Sequence, residues 1–569
     1  MPRPPAPSPC HPPRPPRRHR STPTNCRRLP VASQGGVGRA SAILASGTLV
    51  SRLLGFLKVI VFAQVLGQIS KSADAFSLAN QLPNTVYTIV AGGVLTAVLV
   101  PQIVRASLHD DGGTAYINKL VTLALSILAG TTLVACLLAP FITRFIGPGY
   151  SEDQIALAIA FAYWCLPQIF FYGLYTVLGE VLNARRSFGP FTWVPVINNV
   201  VAIAGLLAFM ALFGADAHGD RPVTDFTPGM VALLGGSATL GVVLQGVVLF
   251  YFWRRIGLRY RPDFRFRGVG LGAAGKMASW TFGMLLLTTI AGIVETQVVS
   301  TASGEGASTT VLSTAWLIFM LPHSIITVSV ATAYFTRMSE HASRGDNSLL
   351  RTDASSAIRG TTLLIVLASA VIMVCAYPFA AVFNNSSFEN VQAIGNVIIA
   401  YLAGLVGFCV LFVVQRSFYA LGDTRTPFFF TLFQVVLVVI GVLGCMLLAP
   451  EWIAFGIALV VSVSGILQAI LAAWLLRKRL GGIDGKRILR SLVKYLVAVL
   501  VPVAAGLGIL VAVGGTVDGG FALSGIVASI LSMALIGVVM AGLYFGILLL
   551  MRSQELHGFL APLKARLRR

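Results

Sequence analysis

The sequence predicts an all-α polytopic membrane protein with fourteen transmembrane helices. Only 11% of the 569 residues are charged and 56% are hydrophobic, whereas about a quarter of the residues of a soluble globular domain are charged. The apolar residues also form long runs, and the stretches 363–376 and 435–448 contain no charged residue. Such runs are typical of helices that are surrounded by lipid and by each other.

Runs of about 20 apolar residues, the length that crosses a bilayer, give the positions of the predicted helices. They lie at 41–68, 76–104, 118–146, 154–182, 191–214, 228–253, 273–301, 308–335, 359–384, 391–419, 428–449, 453–476, 491–514 and 522–551. We divide them into an N-lobe at 37–255, a C-lobe at 256–480 and two additional helices within 481–551.

The distribution of basic residues orients the predicted helices. Of 42 Lys and Arg residues, only Lys71, Arg144 and Arg221 lie in loops on the predicted outer side. Apart from two cations inside the first helix, the others lie in the tails or in alternate loops, and the opposite loops carry acidic residues such as Glu305 and Glu451. Because basic loops stay in the cytoplasm, both termini are predicted to be cytoplasmic. The net charge of +21 is therefore attributed to membrane orientation and not to nucleic-acid binding.

Two terminal segments lie outside the predicted helices. Residues 1–36 are rich in Pro and Arg and have little to bury, so we predict a disordered cytoplasmic tail that touches anionic lipid. The apolar run that follows is too long for a signal peptide and lacks a small-residue cleavage site. Residues 552–569 form a second, basic cytoplasmic tail.

Two pairs of short motifs indicate an internal duplication. LPNTVYTIV begins at Leu82 in the second predicted helix, and LPHSIITVS begins at Leu321 in the eighth. The fourth and tenth helices are each followed by a Pro-Phe pair, at Pro190 and Pro427, with nearly the same separation. We therefore predict two six-helix pseudo-repeated lobes plus two C-terminal helices. Parallel repeats of this kind suit a transporter with its binding site near the midplane between the lobes.

Arg52 and Lys58 lie inside the first predicted helix. A cation near the centre of a bilayer costs about 2.5–3.5 kcal/mol on insertion scales. Six residues place the two side chains about 120° apart on a helix, so both could line one wide cavity, whereas neither is suited to face lipid. Snorkelling to the interface is the alternative for Arg52. The pair favours an intramembrane cationic site for an anion.

Several further candidate residues allow more than one role. Asp74, at the outer end of the second helix, is suited to counter a cationic cavity or to cap its own helix. Pro83 and Pro322 occupy matching places in the two lobes, where they predict either kinks that open a lateral portal or kinks that serve packing alone. Glu180 and Glu295 lie within apolar stretches. The sequence leaves three roles open for each of them: pairing with a cation, binding of a coupling ion or a position near the membrane interface.

Signatures of soluble enzymes are missing from the sequence. The seven cysteines show no CxxC pairing, and we find no P-loop, catalytic triad or metal-ligand spacing. We predict a protein that is not an enzyme, binds no cofactor or metal and does not hydrolyse ATP.

Six longer motifs, taken together, resemble one known family. They are SRLLGFLK at 51–58, ADAFSLANQLPN at 73–84, VLVP at 98–101, PQIFFYGLYTVLGEVLNARRSF at 167–188, LPHSIITVSVATAYFTRMS at 321–339 and QRSFYALGDTRTP at 415–427. Their combination resembles the MurJ (MviN) lipid II flippases, which belong to the multidrug, oligosaccharidyl-lipid and polysaccharide exporter superfamily. The resemblance extends over about 40–550.

The resemblance implies a function and a location. It implies alternating access that moves lipid II, the undecaprenyl-diphosphate-linked disaccharide pentapeptide, from the inner to the outer leaflet of the bacterial cytoplasmic membrane for peptidoglycan biosynthesis. Its implied partners are lipid II and membrane lipids, with cell-wall synthesis and division proteins as further candidates. Members of the family use an arginine of the SR motif, a basic residue six positions later and the Asp of DAF, which match Arg52, Lys58 and Asp74. Asn84 of the LPN motif is assigned to substrate binding with them.

The sequence departs from the family pattern at three positions. Many members carry arginines shortly after LPN and in the eighth helix, where this chain has Tyr87, Thr88 and Leu317. The resemblance therefore implies a cavity with fewer cations. A flippase for another lipid-linked oligosaccharide stays open as a function, since it also needs cations for a diphosphate. A multidrug exporter, which is expected to have an acidic cavity, and a non-transporting cell-wall scaffold stay open as well.

Overall fold

The computed structural model describes residues 34–90, 114–185, 187–258, 260–265, 275–383 and 387–556. Most of the predicted tail 1–36, the end of the basic tail 552–569 and the second half of the predicted helix 76–104 lie outside these ranges. The first helix begins at Gln34, three residues before the predicted start of the N-lobe.

Nineteen α-helices form the regular structure of the described ranges, which contain no strand. They are α1 Gln34–Leu66, α2 Lys71–Val90, α3 Thr114–Leu137, α4 Ala139–Ile146, α5 Glu152–Cys165, α6 Gln168–Ala184, α7 Phe188–Phe213, α8 Pro228–Arg255, α9 Gly275–Ser300, α10 Thr309–Pro322, α11 Val328–Ser343, α12 Asn347–Val374, α13 Ala376–Phe383, α14 Phe388–Ala403, α15 Leu405–Ala420, α16 Arg425–Gly444, α17 Pro450–Leu480, α18 Gly485–Ala512 and α19 Ile526–Leu550. The predicted all-α class is confirmed.

Thirteen segments of the described chain are long and apolar enough to cross a membrane. Each corresponds to one predicted helix, and the second predicted helix is the one without a counterpart. It corresponds to α2, which carries polar residues such as Asn80, Gln81 and Asn84 and ends its described part at Val90. The predicted count of fourteen is therefore not confirmed, although α2 lies where the remaining helix was expected.

Three of these segments consist of two helices in series. The breaks lie at Pro167, at Gly404 and after Pro322, where a π-helical turn, His323–Thr327, separates α10 from α11. Proline lacks the N–H that continues a helical ladder, so such irregular turns are expected beside it. Pro83 lies inside α2 without ending it. A gating role for either proline stays a prediction.

The helices predicted at 308–335 and 359–384 leave a basic loop between them, and this prediction is wrong because most of that segment is helical. α11 continues to Ser343 and α12 begins at Asn347, because charged residues of the two helices pair with each other: Arg337 lies 2.7 Å from the carboxylate of Asp353. The side chain of Asp346 caps α12 by accepting hydrogen bonds from the backbone N–H groups of Leu349 and Ser348. These bonds lower the pKa of Asp346. The prediction ended each helix where its apolar run ends, so it missed these charged helical extensions.

The helix contacts form three groups, for which we keep the names N-lobe, C-lobe and additional helices. In the N-lobe, α7 packs on α1 and α8, α2 packs on α5, and α6 packs on α3 and α8. In the C-lobe, α16 packs on α9 and α17, while α17 also packs on α14 and α15. The additional helices α18 and α19 pack on each other and on α12. The domain boundaries at 255 and 480 stay predictions.

The helix ends form two faces that differ in charge. We call the side of the α6–α7, α11–α12 and α17–α18 connections, with Arg185, Arg344 and Arg477, the basic face. The opposite side, with the connections that contain Asp216 and Glu305, is called the acidic face. α1 runs from the basic face to the acidic face, and the backbone N–H of Asp216 donates to the carbonyl of Gln64 near its end.

A buried ion pair joins Glu555, near the end of the described residues, to α12 at the basic face. Arg359 donates to the carboxylate of Glu555, and the two side chains are only 7% and 15% exposed. Breaking a buried pair leaves an uncompensated charge, which costs about 3–5 kcal/mol. We therefore expect Arg359→Met to lower the thermal denaturation midpoint of the purified protein clearly.

The exposed pair Arg144–Glu152 provides the control for that measurement. Arg144→Met should leave the midpoint unchanged, because exposed ion pairs contribute little to stability. An equal midpoint for Arg359→Met and the wild type would contradict a stabilising role of the buried pair.

Candidate functional site

A cavity of about 800 Å³ lies between the N-lobe and the C-lobe. Both lobes contribute amide and hydroxyl side chains to its wall. These include Ser77, Asn80, Gln81, Gln168, Tyr172 and Asn198 from the N-lobe, and Thr288, Thr296, Ser313, Gln415, Thr431, Gln434, Ser462 and Gln468 from the C-lobe. Side chains of this kind form hydrogen bonds with a polar group inside the membrane without the desolvation cost of charged residues. The cavity is therefore suited to a large polar ligand.

Lys58 is the only Lys or Arg among the described residues that line the cavity. The ring of Phe56 fixes the rotation of α1 about its own axis. It packs edge-on against Phe379 and Phe383 of the C-lobe, with 5.6 and 5.4 Å between ring centroids. Glu295 of α9 is the only acidic residue of the same lining, and no ion pair joins it to Lys58 within the described residues. The ammonium group therefore remains available for an anionic ligand.

Arg52 is not part of the cavity lining. It lies six residues before Lys58 on α1, towards the basic face, and its side chain is exposed. The structure thus does not bring the two predicted cations into one cavity in this conformation.

Asp74 joins the two lobes. Its side chain is 1% exposed, and its carboxylate accepts hydrogen bonds from the Ser303 hydroxyl at 2.6 Å and from the Thr310 backbone N–H at 2.9 Å. Thr310 is the second residue of α10, so Asp74 caps a helix of the opposite lobe. A carboxylate is favoured at this place because the first N–H groups of a helix are unsatisfied and carry partial positive charge.

Further hydrogen bonds surround Asp74 at the acidic face. The Tyr150 hydroxyl lies 3.1 Å from that of Thr309, and Gln154 donates to the Ser303 hydroxyl at 2.8 Å. Burial and the nearby charge of Asp74 raise the pKa of Tyr150, and the Tyr150 hydroxyl donates to the backbone carbonyl of Asp74 at 3.2 Å. We call Asp74, Tyr150 and Gln154, with their C-lobe partners, the acidic-face closure.

The backbones of the two lobes also touch at the acidic-face closure. Gly149 of the N-lobe donates its N–H to the Ser300 hydroxyl at 3.1 Å. A Cβ atom at Gly149 would lie 2.5 Å from the backbone of Thr301, so only glycine permits this approach. The cavity is thus closed towards the acidic face by close packing as well as by hydrogen bonds.

Asn84 lies beside a smaller cavity of about 150 Å³ between α2 and α9. Thr88 lines this small cavity as well, together with Thr289 of α9. Gln81 and Thr296 line both cavities, so the smaller one adjoins the larger. The structure therefore places Asn84 at the edge of the polar region and away from Lys58.

The positions where related sequences carry arginines are neutral in this chain. Leu317 lines the main cavity, and the Tyr87 hydroxyl lies 2.6 Å from that of Thr176 within the N-lobe. Neither position therefore adds a cation to Lys58 in this chain, and a cavity less cationic than that of the family stays a prediction.

Sequence reasoning missed the neutral polar part of the site. Gln415, Gln434 and Gln468 line the cavity, and each interrupts an apolar run of the sequence, which is the signal that could have identified them. Ser303 and Thr310 gave no signal, because their partner Asp74 is remote in sequence and one of the two bonds comes from the backbone. No group of three metal-ligating side chains occurs in the described part of the chain.

The fold and its cavity define a membrane transporter with two helical lobes. The family described as "Lipid II flippase MurJ" matches residues 62–528, and the chain belongs to this family. Its members are transporters and not enzymes, and membership implies a multi-pass protein of the bacterial inner membrane.

Curated relatives agree with this membership. A "Probable lipid II flippase MurJ" of Borreliella burgdorferi is 24% identical over 471 residues, which cover 80% of this chain and 87% of the relative. A "Lipid II flippase MurJ" of Burkholderia cenocepacia is 26% identical over 448 residues, which cover 78% and 84%.

Two solved structures share the fold. One is titled "Lipid II flippase MurJ, inward closed conformation", with a TM-score of 0.68 and 18% identity over 89% of this chain and all of that one. The other is an inward-facing multidrug resistance MATE family transporter, with a TM-score of 0.59 and 18% identity over 78% of this chain and 99% of that one.

Proposed function

We propose that this protein moves lipid II from the inner to the outer leaflet of the bacterial cytoplasmic membrane by alternating access. The observation that supports the proposal most is the polar cavity between the lobes, with Lys58 as the single basic residue of its described lining. A cation within a membrane span is costly and usually has a functional partner. The diphosphate of lipid II is such a partner, and the neutral amides and hydroxyls suit its sugar and peptide groups.

The conformation supports a direction of transport. We place the basic face in the cytoplasm, following the positive-inside rule, so the acidic-face closure lies towards the outer leaflet. In this state the headgroup enters from the cytoplasmic side, while the lipid tail stays in the bilayer. Separation of Asp74 from Ser303 and Thr310 then opens the cavity outwards.

The charge of the substrate provides a driving force in this mechanism. A membrane potential that is negative inside favours outward movement of an anion by about 2.3 kcal/mol per charge per 100 mV. A diphosphate that moves with only one cation of the cavity beside it keeps net negative charge. Transport therefore needs no nucleotide site, in accordance with the sequence.

Expression of the full chain in bacteria depleted of their own MurJ is expected to restore growth. It should also restore the exposure of lipid II headgroups at the outer surface, measured by a headgroup-accessibility assay on intact cells. Arg52→Ala is expected to reduce that exposure, and Arg144→Ala at the acidic face serves as the control. Failure of the wild-type chain to restore exposure, although it is present in the membrane, would contradict lipid II as the substrate.

A further inference from the structure

Two cations at the basic face of the C-lobe are stacked on aromatic rings. The guanidinium group of Arg425, the first residue of α16, lies 5.8 Å from the centre of the Trp280 ring of α9 and 5.7 Å from that of Phe429. The ammonium group of Lys478 on α17 lies 3.6 Å from the centre of the Trp474 ring. Contacts of this kind hold a cation in place without neutralising its charge.

Phe429 and Trp474 belong to rows of apolar side chains that face lipid. Phe429 is 47% exposed and Trp474 is 49% exposed. From each ring, exposed apolar residues continue towards the acidic face at intervals of three or four residues, which places them on one side of their helix. The rows contain Phe433, Val436 and Ile440 on α16 and Ile470, Leu467 and Val463 on α17. The two cations therefore lie at the basic-face ends of two lipid-facing rows.

The two cations also lie at the same depth. The side-chain amide of Gln468 on α17 donates to the Thr431 hydroxyl of α16 at 3.4 Å. Arg425 lies six residues from Thr431 towards the basic face. Trp474 lies six residues from Gln468 in the same direction, so each is about 9 Å from that bond along its helix. Lys478 is one turn further on, and its side chain returns to the Trp474 ring because helical side chains lean towards the start of their helix.

Close packing of α16 on α17 keeps the two cations near each other. A Cβ atom at Gly441 of α16 would lie 2.5 Å from a methyl carbon of Val460 on α17, so this glycine allows the helices to approach closely. The axes of packed helices are about 8–10 Å apart. At this spacing one phospholipid headgroup can contact both Arg425 and Lys478.

Neither cation has a carboxylate within ion-pair distance among the described residues. Two other arginines at the basic face, Arg351 and Arg359, do have such a partner. Asp423 is close to Arg425 in sequence, but its carboxylate accepts hydrogen bonds from the backbone N–H and the hydroxyl of Thr426. Both stacked cations therefore keep N–H donors for an external anion.

We propose that Arg425 and Lys478 bind the phosphate of one anionic phospholipid of the cytoplasmic leaflet. Trp280, Phe429 and Trp474 contact its glycerol backbone and the first carbons of its chains, because amphipathic rings favour this depth of the bilayer. The two cations complement a headgroup with net negative charge, whereas the ammonium group of a neutral phospholipid opposes them. The inference goes beyond the proposed function and holds whichever lipid the protein transports.

Titration of the purified full chain in detergent with phosphatidylglycerol tests the proposal. Native mass spectrometry resolves the bound lipids and gives the dissociation constant of the first one. The double variant Arg425→Gln/Lys478→Gln is expected to bind about tenfold more weakly, because it loses charge-assisted bonds to the phosphate. Equal affinity of the wild type and the double variant would overturn the proposal, and so would equal affinity of the wild type for phosphatidylglycerol and phosphatidylcholine.

A second double variant is the matched control. Arg477→Gln/Arg479→Gln removes the same charge from exposed residues at the same end of α17, and its affinity should stay within about twofold of the wild type. A tenfold loss in this control would assign lipid binding to the overall charge of the basic face and overturn the site.

The conservative variant Arg425→Lys/Lys478→Arg separates charge from packing. It keeps both cations, so most of the affinity for phosphatidylglycerol should remain. The thermal midpoints of the wild type and Arg425→Gln/Lys478→Gln should be equal without added lipid, because both side chains are exposed and have no carboxylate partner. A tenfold loss in the conservative variant, or a clearly lower midpoint of the glutamine variant, would assign the cations to packing and overturn the proposal.

Glycerol 3-phosphate distinguishes a lipid from a soluble phosphate. It offers a phosphate without acyl chains, so an excess of it should leave phosphatidylglycerol bound to the wild type. Displacement of the lipid would assign Arg425 and Lys478 to a soluble phosphate and overturn the lipid site.

Discussion

Replacement of Lys58 by methionine is expected to abolish lipid II export while the protein remains folded. Lys58 is the one cation of the described cavity lining, so the diphosphate would lose its direct counter-charge there. A hydrogen bond to a charged group contributes about 1.5–3 kcal/mol, which corresponds to a loss of binding of about 10- to 150-fold. The measurement is headgroup exposure in cells depleted of their own MurJ, together with binding of undecaprenyl diphosphate in nanodiscs.

The stability of the same variant separates a functional from a structural role. Methionine has a similar length and no charge, and a cation in a membrane span costs about 2.5–3.5 kcal/mol. We therefore expect Lys58→Met to have an equal or higher thermal midpoint than the wild type. A structural lysine would show the opposite, because its removal would leave a partner unsatisfied.

Two controls define the outcome. Lys58→Arg keeps the charge and should retain most of the export. Lys486→Met removes an exposed lysine near the start of α18, outside the cavity lining, and should export as the wild type does. Normal export by Lys58→Met would exclude Lys58 as the binding cation.

The membrane helices could be predicted because lipid imposes a simple requirement on sequence. Each span needs about 20 apolar residues, and thirteen predicted helices match segments of the structure. The second predicted helix, 76–104, has no match because the described part of α2 ends at Val90.

The candidate site could be predicted only in part. Lys58 was identifiable because a charge within an apolar run is costly wherever the helix lies. The surroundings of Asp74 were not identifiable, since a hydroxyl and a backbone N–H that are distant in sequence create them. A sequence shows which groups need a partner, whereas tertiary packing decides which partner they obtain.

Asp74→Asn is expected to weaken the acidic-face closure and lower transport. The carboxylate accepts hydrogen bonds from Ser303 and Thr310 of the C-lobe. Bonds to a charged acceptor contribute about 1.5–3 kcal/mol and bonds to a neutral acceptor about 0.5–1.5 kcal/mol. The amide should therefore shift the equilibrium towards the outward-open state by about 5- to 30-fold.

Labelling of a cysteine at residue 80 measures this shift. Asn80 lines the cavity beneath the closure. A membrane-impermeant maleimide added at the acidic face should therefore modify the Asn80→Cys protein slowly. The double variant Asn80→Cys/Asp74→Asn should be modified faster. Asp216→Asn is the control, because Asp216 accepts backbone hydrogen bonds from Asp220 and Arg221 within one lobe. Equal labelling rates of the cysteine in Asn80→Cys alone, combined with Asp74→Asn and combined with Asp216→Asn would show that Asp74 does not hold the lobes together.

The chemistry of the closure explains why a single carboxylate has so large an expected effect. Asp74 is the only charged side chain whose polar contacts join the lobes at the described closure, and its partners are a hydroxyl and a backbone N–H. Hydrogen bonds to neutral donors, which water or other polar groups can replace, allow the lobes to separate and close again. Transport requires that both the state closed at the acidic face and the outward-open state are populated. Removing the charge of Asp74 shifts the equilibrium between these two states, so it lowers the transport rate without unfolding either lobe.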